Sequence, residues 1–202
     1  GDLARQGFHV TIFEGQPEAG GVLMYGIPEY RLPKAVVRNE IKKIEDLGVH
    51  FVRNCLVGTP ESGVTVDSLF AEGFDAIFMG TGTALPQNLS IPGSDLRRVT
   101  QSTDFLHNVN AYVEGALPME MVPLRKGDKV AVIGGGNVAM DAARTARRLG
   151  ADVTVIYRRT QAEMPAIQSE YEDAVKEGVN FMWQTNSLEF LGNKKGRVCA
   201  IR

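Results

Sequence analysis

The chain of 202 residues is poor in the side chains that build redox and metal centres, with two cysteines, three histidines and one tryptophan. Cys55 and Cys199 stand alone in the sequence, which excludes a disulfide framework, a C-x-x-C redox pair or a cluster-ligating set within the chain. His9, His50 and His107 lie far apart without metal-ligand spacing, so no metal ligand is assigned. His9 and His50 sit beside apolar strand-like runs and read as structural. Charge of neither sign prevails: 22 Lys and Arg stand against 24 Asp and Glu, so neither nucleic acid nor an anionic membrane is an expected partner. No apolar run reaches spanning length, and no signal-peptide pattern opens the chain. Together with the isolated cysteines, this points to a reducing cytoplasm. What remains is an ordinary globular composition, 44% hydrophobic and 23% charged, with room for one large or two small domains.

Glycine is plentiful, at 22 residues, and its placement carries the functional signal. The run Val130 to Ile133 reads as a short strand covered on both faces. Gly134, Gly135, Gly136 and Asn137 follow, and Gly134, Gly136 and Ala139 give G-x-G-x-x-A. In such a turn the first glycine permits the tight bend and the second lets backbone approach a pyrophosphate. The small third residue lets the helix pack on the strand. That helix is predicted to carry Val138, Ala142, Ala143, Ala146 and Leu149 on one apolar face and to stop at Gly150. A second strand, Val153 to Tyr157, completes a βαβ dinucleotide-binding unit. An NAD site places an acidic residue at the end of that strand to accept from the ribose hydroxyls. This chain has Arg158 and Arg159 there, a pair that suits the 2′-phosphate of NADP.

The opening of the chain repeats the end of this unit. Gly7 matches Gly150, and Val10 to Phe13 matches Val153 to Ile156, at an offset of 143 residues. At that offset the counterpart of Gly134 falls before Gly1, so the chain is expected to begin inside a helix, its first strand and phosphate loop lying outside it. The strand end here carries Glu14, the ribose-hydroxyl acceptor of an FAD or NAD site. Gly20 to Lys34 is too rich in Gly and Pro for regular structure, yet apolar. It is expected to bury Val22, Leu23, Met24 and Ile27 against something flat, with Arg31 placed to meet a phosphate. Lys34 to Leu47 reads as an amphipathic helix, closed by Gly48 and followed by a strand at 49–52. The same helix–glycine–strand unit recurs around Gly178, so two similar halves are expected. Phe74 to Met79 reads as a buried strand running into the Gly80, Thr81, Gly82 turn, where backbone can approach a ligand. The passage between domains is placed in 86–98, a helix capped by Ser102 follows, and 192–196 reads as a turn between two strands.

The fold class expected is α/β, with two Rossmann-like dinucleotide-binding domains, both incomplete in this chain. The first spans 1–97, lacks its first strand and phosphate loop, and would hold FAD or NAD; the second is an NADP domain over 98–202, truncated at its carboxyl end.

Five motifs, in order, resemble the NADPH-dependent glutamate synthase small (beta) subunit family, which includes the flavin half of dihydropyrimidine dehydrogenase. They are the stretch from Asp2 to Glu14, Gly20-Gly21-Val22 through Arg31 to Lys34, Gly80-Thr81-Gly82, Gly134 to Asp141, and Tyr157-Arg158-Arg159 to Pro165. The resemblance implies that NADPH gives hydride to FAD and that electrons pass to iron–sulfur clusters outside this chain and on to a large (alpha) or other electron-accepting subunit. It also implies that Glu14, Val22, Arg31 and Val57 touch FAD, with Gly21, Gly80, Thr81 and Gly82 beside them. Gly136, Asn137, Val138, Ala139, Arg158 and Arg159 would hold NADP. No side chain is assigned as catalytic acid or base, because hydride transfer is the cofactors' own chemistry. Ferredoxin-linked transhydrogenation and pyrimidine reduction would use the same residues. A dithiol reductase would require a C-x-x-C that these 202 residues lack, and a non-catalytic NADP-binding module would bind the nucleotide without reducing a flavin.

Overall fold

The computed structural model describes residues 1–59, 61–82 and 89–202. The chain divides into two compact units, Gly1–Ala84 and Leu85–Arg202. In the first, helix α1 (Asp2–Arg5) turns at Gly7, whose φ of +91° only glycine adopts without strain, and leads into strand β1 (Thr11–Phe13). A short helix α2 (Val22–Tyr25) and the long helix α3 (Lys34–Glu45) bring the chain back to strand β2 (His50–Val52). β2 lies parallel to β1, with Thr11 opposite His50 and Phe13 opposite Val52. Helix α4 (Val66–Ala71) starts at a reciprocal cap, in which Thr65 and Ser68 each donate a backbone N–H to the other's hydroxyl. Met24, Val37, Val49, Cys55 and Leu69 fill the small interior.

The second unit holds the larger core. Helix α5 (Ser102–Val113) precedes strand β3 (Lys129–Ile133), helix α6 (Asn137–Arg148), strand β4 (Asp152–Ile156), helix α7 (Gln168–Lys176) and strand β5 (Asn180–Met182). The three strands form a parallel sheet in the order β3-β4-β5, with α6 and α7 in the two crossovers. α6 packs against β3, β4, α5 and α7. Its Met140, Ala142, Ala143 and Ala146 join Val153, Val155, Ala174 and Val179 in one buried cluster. An antiparallel hairpin, β6 (Phe190–Gly192) and β7 (Val198–Ile201), ends the chain.

Several expectations are corrected. Residues 74–79 pair with no strand among the described residues, and Phe78 and Met79 are 92% and 74% exposed. An apolar run becomes a strand only where a neighbour takes its N–H and C=O groups, and among the described residues the sheet of this unit consists of β1 and β2. β3 is covered on one face only: Val132 is buried while Ala131 and Ile133 face outward from the sheet's edge position. In α6 every residue from Ala139 to Ala146 is buried, Asp141, Ala142 and Thr145 on the face of Val138 included, whereas Val138 itself is half exposed in the first turn, at the end of the helix. Val22 and Leu23 are exposed and only Met24 of their turn is buried, since α2 closes into a helix that points one side inward. Ser102 is the first helical residue of α5; Gln101 occupies the cap position, and its side chain does not make the capping hydrogen bond. His9 and His50 are exposed rather than packed. Of the expected passage at 86–98, residues 86–88 lie outside the described residues. The rest packs on the terminal hairpin: Phe190 N–H donates to the Pro92 carbonyl at 2.9 Å, and Val198 N–H to that of Arg97 at 3.1 Å.

Candidate functional site

The glycine turn between β3 and α6 has the shape its sequence predicts. Gly134 has φ of +130°, and its N–H donates to the Ile156 carbonyl at 3.0 Å, which ties the turn to the end of β4. Gly136 is the N-cap of α6 and brings no side-chain cap, so the first-turn N–H groups of Asn137, Val138 and Ala139 point out of the helix without intrahelical acceptors. A methyl group on Gly136 would meet nothing within 4 Å: the space above this backbone is open, as a docking pyrophosphate requires. Gly135 serves a different purpose. A Cβ there would lie 2.8 Å from the Tyr157 ring and 3.0 Å from Met164 Cγ, so its bareness lets Tyr157 pack beneath the turn. Ala139, nearly buried, lets α6 approach Gly134, whose Cβ would stand 3.8 Å from that of Ala139.

Two features were not read from the sequence. Asn137 Oδ1 accepts the Ile167 N–H at 2.9 Å, so this side chain ties the phosphate turn to the entry of α7. The Ala166 N–H donates to the Gly135 carbonyl at 3.0 Å and reinforces the link. Arg158 and Arg159 follow β4 after Tyr157, both exposed and in no ion pair among the described residues. Because β3 and β4 are adjacent and parallel, with Ile133 opposite Ile156, the glycine turn and the arginine pair stand at the same carboxyl edge of one sheet. That is the edge where open α/β sheets place a nucleotide. The donor set fits: helix-terminal amides suit a pyrophosphate, and two guanidinium groups suit a further phosphate.

In the first unit the carboxyl ends of β1 and β2 also run together. The Cys55 N–H donates to the Glu14 carbonyl at 2.9 Å, and the Asn54 N–H to that of Gln16 at 3.2 Å, which brings half-buried Val57 to within two residues of this pairing. Glu14 Oε1 accepts the Gln16 N–H at 2.9 Å, and Oε2 has no hydrogen-bond partner among the described residues. An outward carboxylate oxygen at a strand end fits a ribose hydroxyl. Arg31 sits half buried on the loop between α2 and α3, its N–H donating to the Pro28 carbonyl at 3.0 Å. Gly21, the N-cap of α2, has φ of +52°. No described contact brings Gly80, Thr81 or Gly82 to Glu14; they lie exposed beyond Phe74, whose ring meets that of Phe13 edge-on at 5.8 Å.

Sequence reasoning also passed over Lys34. The residue is 1% exposed, and its ammonium donates to the Leu23 carbonyl at 2.9 Å and to that of Ile27. It thereby caps the open end of α2, the helix of Val22, and pins the start of the loop that carries Arg31. A lysine opening an amphipathic helix reads as solvated, and nothing local marks it as buried.

The sequence profile of the pyridine nucleotide-disulphide oxidoreductases matches residues 2–201. The chain belongs to this family. Among relatives of this chain, the NADP(+)-dependent formate dehydrogenase subunit beta of Moorella thermoacetica is 41% identical over 203 residues, covering 98% of this chain and 27% of the relative. The glutamate synthase (NADPH) small chain of Halomonas elongata is 36% identical over 196 residues, covering 96% of this chain and 40% of the relative. The chain therefore spans well under half the length of either. Among solved structures, FprA from Mycobacterium tuberculosis superposes with a TM-score of 0.74 over 99% of this chain and 58% of that one. At 20% identity it speaks for the fold alone. The parallel α/β architecture is thus that of a family of nucleotide-dependent oxidoreductases. No described helix is long and apolar enough to cross a membrane, and the described residues hold no cluster of metal-ligating side chains.

Proposed function

We propose that this chain is the electron-entry part of an NADPH-dependent flavoprotein oxidoreductase of the glutamate synthase small-subunit kind. The observation that carries the reading is the pairing of an open glycine turn on α6 with Arg158 and Arg159 at one sheet edge. In this reading the amides of Asn137, Val138 and Ala139 bind the pyrophosphate of NADPH, Gly134, Gly135 and Gly136 shape the turn around it, and the arginines bind its 2′-phosphate. Glu14 accepts from the ribose of FAD, while Val22, Arg31 and Val57, with Gly21, Gly80, Thr81 and Gly82, line the remainder of that site. The bound pair supplies hydride transfer from nicotinamide to flavin, so the protein's own residues need only bind and orient. The domain division proposed is FAD to about residue 97 and NADP beyond it, the sheet holding the glycine turn lying in the second part.

Electrons then pass to iron–sulfur clusters and a partner subunit in a reducing cytoplasm. Glutamate synthase and NADP-linked formate dehydrogenase, both named among the relatives, are the two settings this reading favours. The test is anaerobic titration of the full-length protein. NADPH is expected to bleach its flavin absorbance within the mixing time, and NADH at the same concentration far more slowly. A flavin that NADPH leaves oxidised, or that NADH bleaches as fast, would overturn the reading.

A further inference from the structure

The turn after the arginine pair is built around one carboxylate. Residues Gln161–Glu163 form a single 3₁₀ turn capped by Thr160. The Thr160 N–H donates to Glu163 Oε2 at 3.1 Å, and the Thr160 hydroxyl donates to the same oxygen at 2.8 Å. From below, the Tyr157 hydroxyl donates to the Glu163 carbonyl at 3.0 Å. From the side, the Gln184 N–H donates to the Arg159 carbonyl at 3.0 Å, with Gln184 itself at φ of +51°. The backbone on both sides of Arg158 and Arg159 is therefore held before any ligand arrives, and Glu163 is the residue on which most of these bonds converge.

Its chemistry is out of place for a phosphate site. Hydrogen bonds from the Thr160 hydroxyl and then its amide hold the Glu163 carboxyl below the usual carboxylate range, with Arg159 adding to them, so the group is an anion at neutral pH. An anion beside the arginines opposes a second anion arriving there. A glutamine would keep an acceptor oxygen for the Thr160 cap and lose the charge. Shape and charge at this position therefore pull in opposite directions, and substitution separates them.

We propose that Glu163 is a positioning residue for the phosphorylated nucleotide: its carboxylate closes the turn that presents Arg158 and Arg159, while its charge weakens the same site. The proposal rests on the NADP reading above. The experiment measures NADPH and NADH dissociation constants of the full-length protein and of Glu163→Ala, Glu163→Gln and Thr160→Val by calorimetry at fixed low salt. Opening the turn with Ala should weaken NADPH by about three- to tenfold, as loss of a cap of this kind does. Thr160→Val removes the hydroxyl with no change of charge and should weaken NADPH in the same direction. Gln should tighten NADPH by about two- to fivefold, an effect that shrinks at high salt. NADH should move by less than about twofold throughout, since it has no group to meet the arginines.

An Ala variant with unchanged NADPH affinity, or one that loses both nucleotides alike, would overturn the proposal. So would a Gln variant as weak as Ala. A parent protein that binds NADPH no better than NADH removes the NADP reading and this proposal together. A parent that prefers NADPH beside an inert Ala variant removes this proposal alone.

Discussion

At the scale of single residues, adjacent glycines in one turn are bare for different reasons, and substitution should tell them apart. Gly136→Ala adds a methyl group into open space at a φ of −87°, which any residue adopts. Its melting temperature should match the parent's, while NADPH affinity falls by about tenfold or more as the methyl group holds the pyrophosphate off the amides. Gly135→Ala drives a methyl group into the Tyr157 ring and Met164, and overpacking of that kind destabilises by about 1–3 kcal/mol. Thermal unfolding beside a nucleotide titration separates the two; a Gly136→Ala protein with full NADPH affinity would put the pyrophosphate elsewhere. For the arginines, well-formed charge-assisted hydrogen bonds to a phosphate contribute about 1.5–3 kcal/mol each, and exposure argues for the lower end. Arg158→Ala or Arg159→Ala should thus weaken NADPH by roughly ten- to a hundredfold and leave NADH nearly unchanged. Equal losses for both nucleotides would make the pair structural.

At the scale of elements, the helix pair α6–α7 is joined by charge as well as by its small apolar residues. Arg144, 6% exposed, donates to Glu170 at 2.8 Å and to Glu177 at 2.9 and 3.1 Å, and Arg148 donates to Glu177 at 2.7 and 3.0 Å. Removing one partner of a buried pair costs about 3–5 kcal/mol, and the partial exposure of both glutamates brings the expectation for Arg144→Met to about 2–3 kcal/mol in urea unfolding. The Arg148 hydrogen bonds lower the Glu177 pKa most, Arg144 adds to them, and burial opposes them. A carboxylate with a depressed folded-state pKa stabilises above its unfolded pKa and loses that contribution as the pH falls through the folded one. The parent should therefore lose stability on acidification below the usual carboxylate range, and Glu177→Gln should show a flatter acid limb; parallel curves would remove Glu177 from the account. None of this network was legible in the sequence, because its partners lie 26–33 residues apart and look like solvated surface charges. The βαβ unit was legible, since strand, glycine turn, helix and stop at Gly150 follow each other within thirty residues and each signals locally. Residues 74–79 misled for the converse reason: an apolar run states a preference, and only a neighbouring strand makes it a strand. Lys34 misled because burial of an ammonium depends on carbonyls supplied by a different turn of chain.

At the scale of the whole molecule, the distribution of candidate residues over the two units carries the argument. Every residue proposed for NADP, from Gly134 to Arg159, lies in the unit Leu85–Arg202, as do the Asn137–Ile167 and Gln184–Arg159 bonds that hold them. The buried cluster around α6 belongs wholly to that unit, running from Phe105 to Val179, and it draws on the α5, α6 and α7 helices and the three-stranded sheet. By contrast the first unit has a two-stranded sheet and a much smaller interior, about the least that supports a fold. Residues 85–202 expressed alone should therefore fold cooperatively and bind NADPH within about threefold of the affinity of the full 202-residue chain, since a threefold change is only about 0.7 kcal/mol. The measurements are urea unfolding followed by the fluorescence of Trp183, whose ring stacks on Phe181 at 5.1 Å at the end of β5, and NADPH calorimetry on both chains. A steep single transition with matched affinities would assign nucleotide recognition to this unit by itself. An NADPH affinity that drops tenfold or more in a well-folded 85–202 chain would mean that residues before 85 complete the site, and the assignment of pyrophosphate and 2′-phosphate contacts to one sheet edge would have to be redrawn.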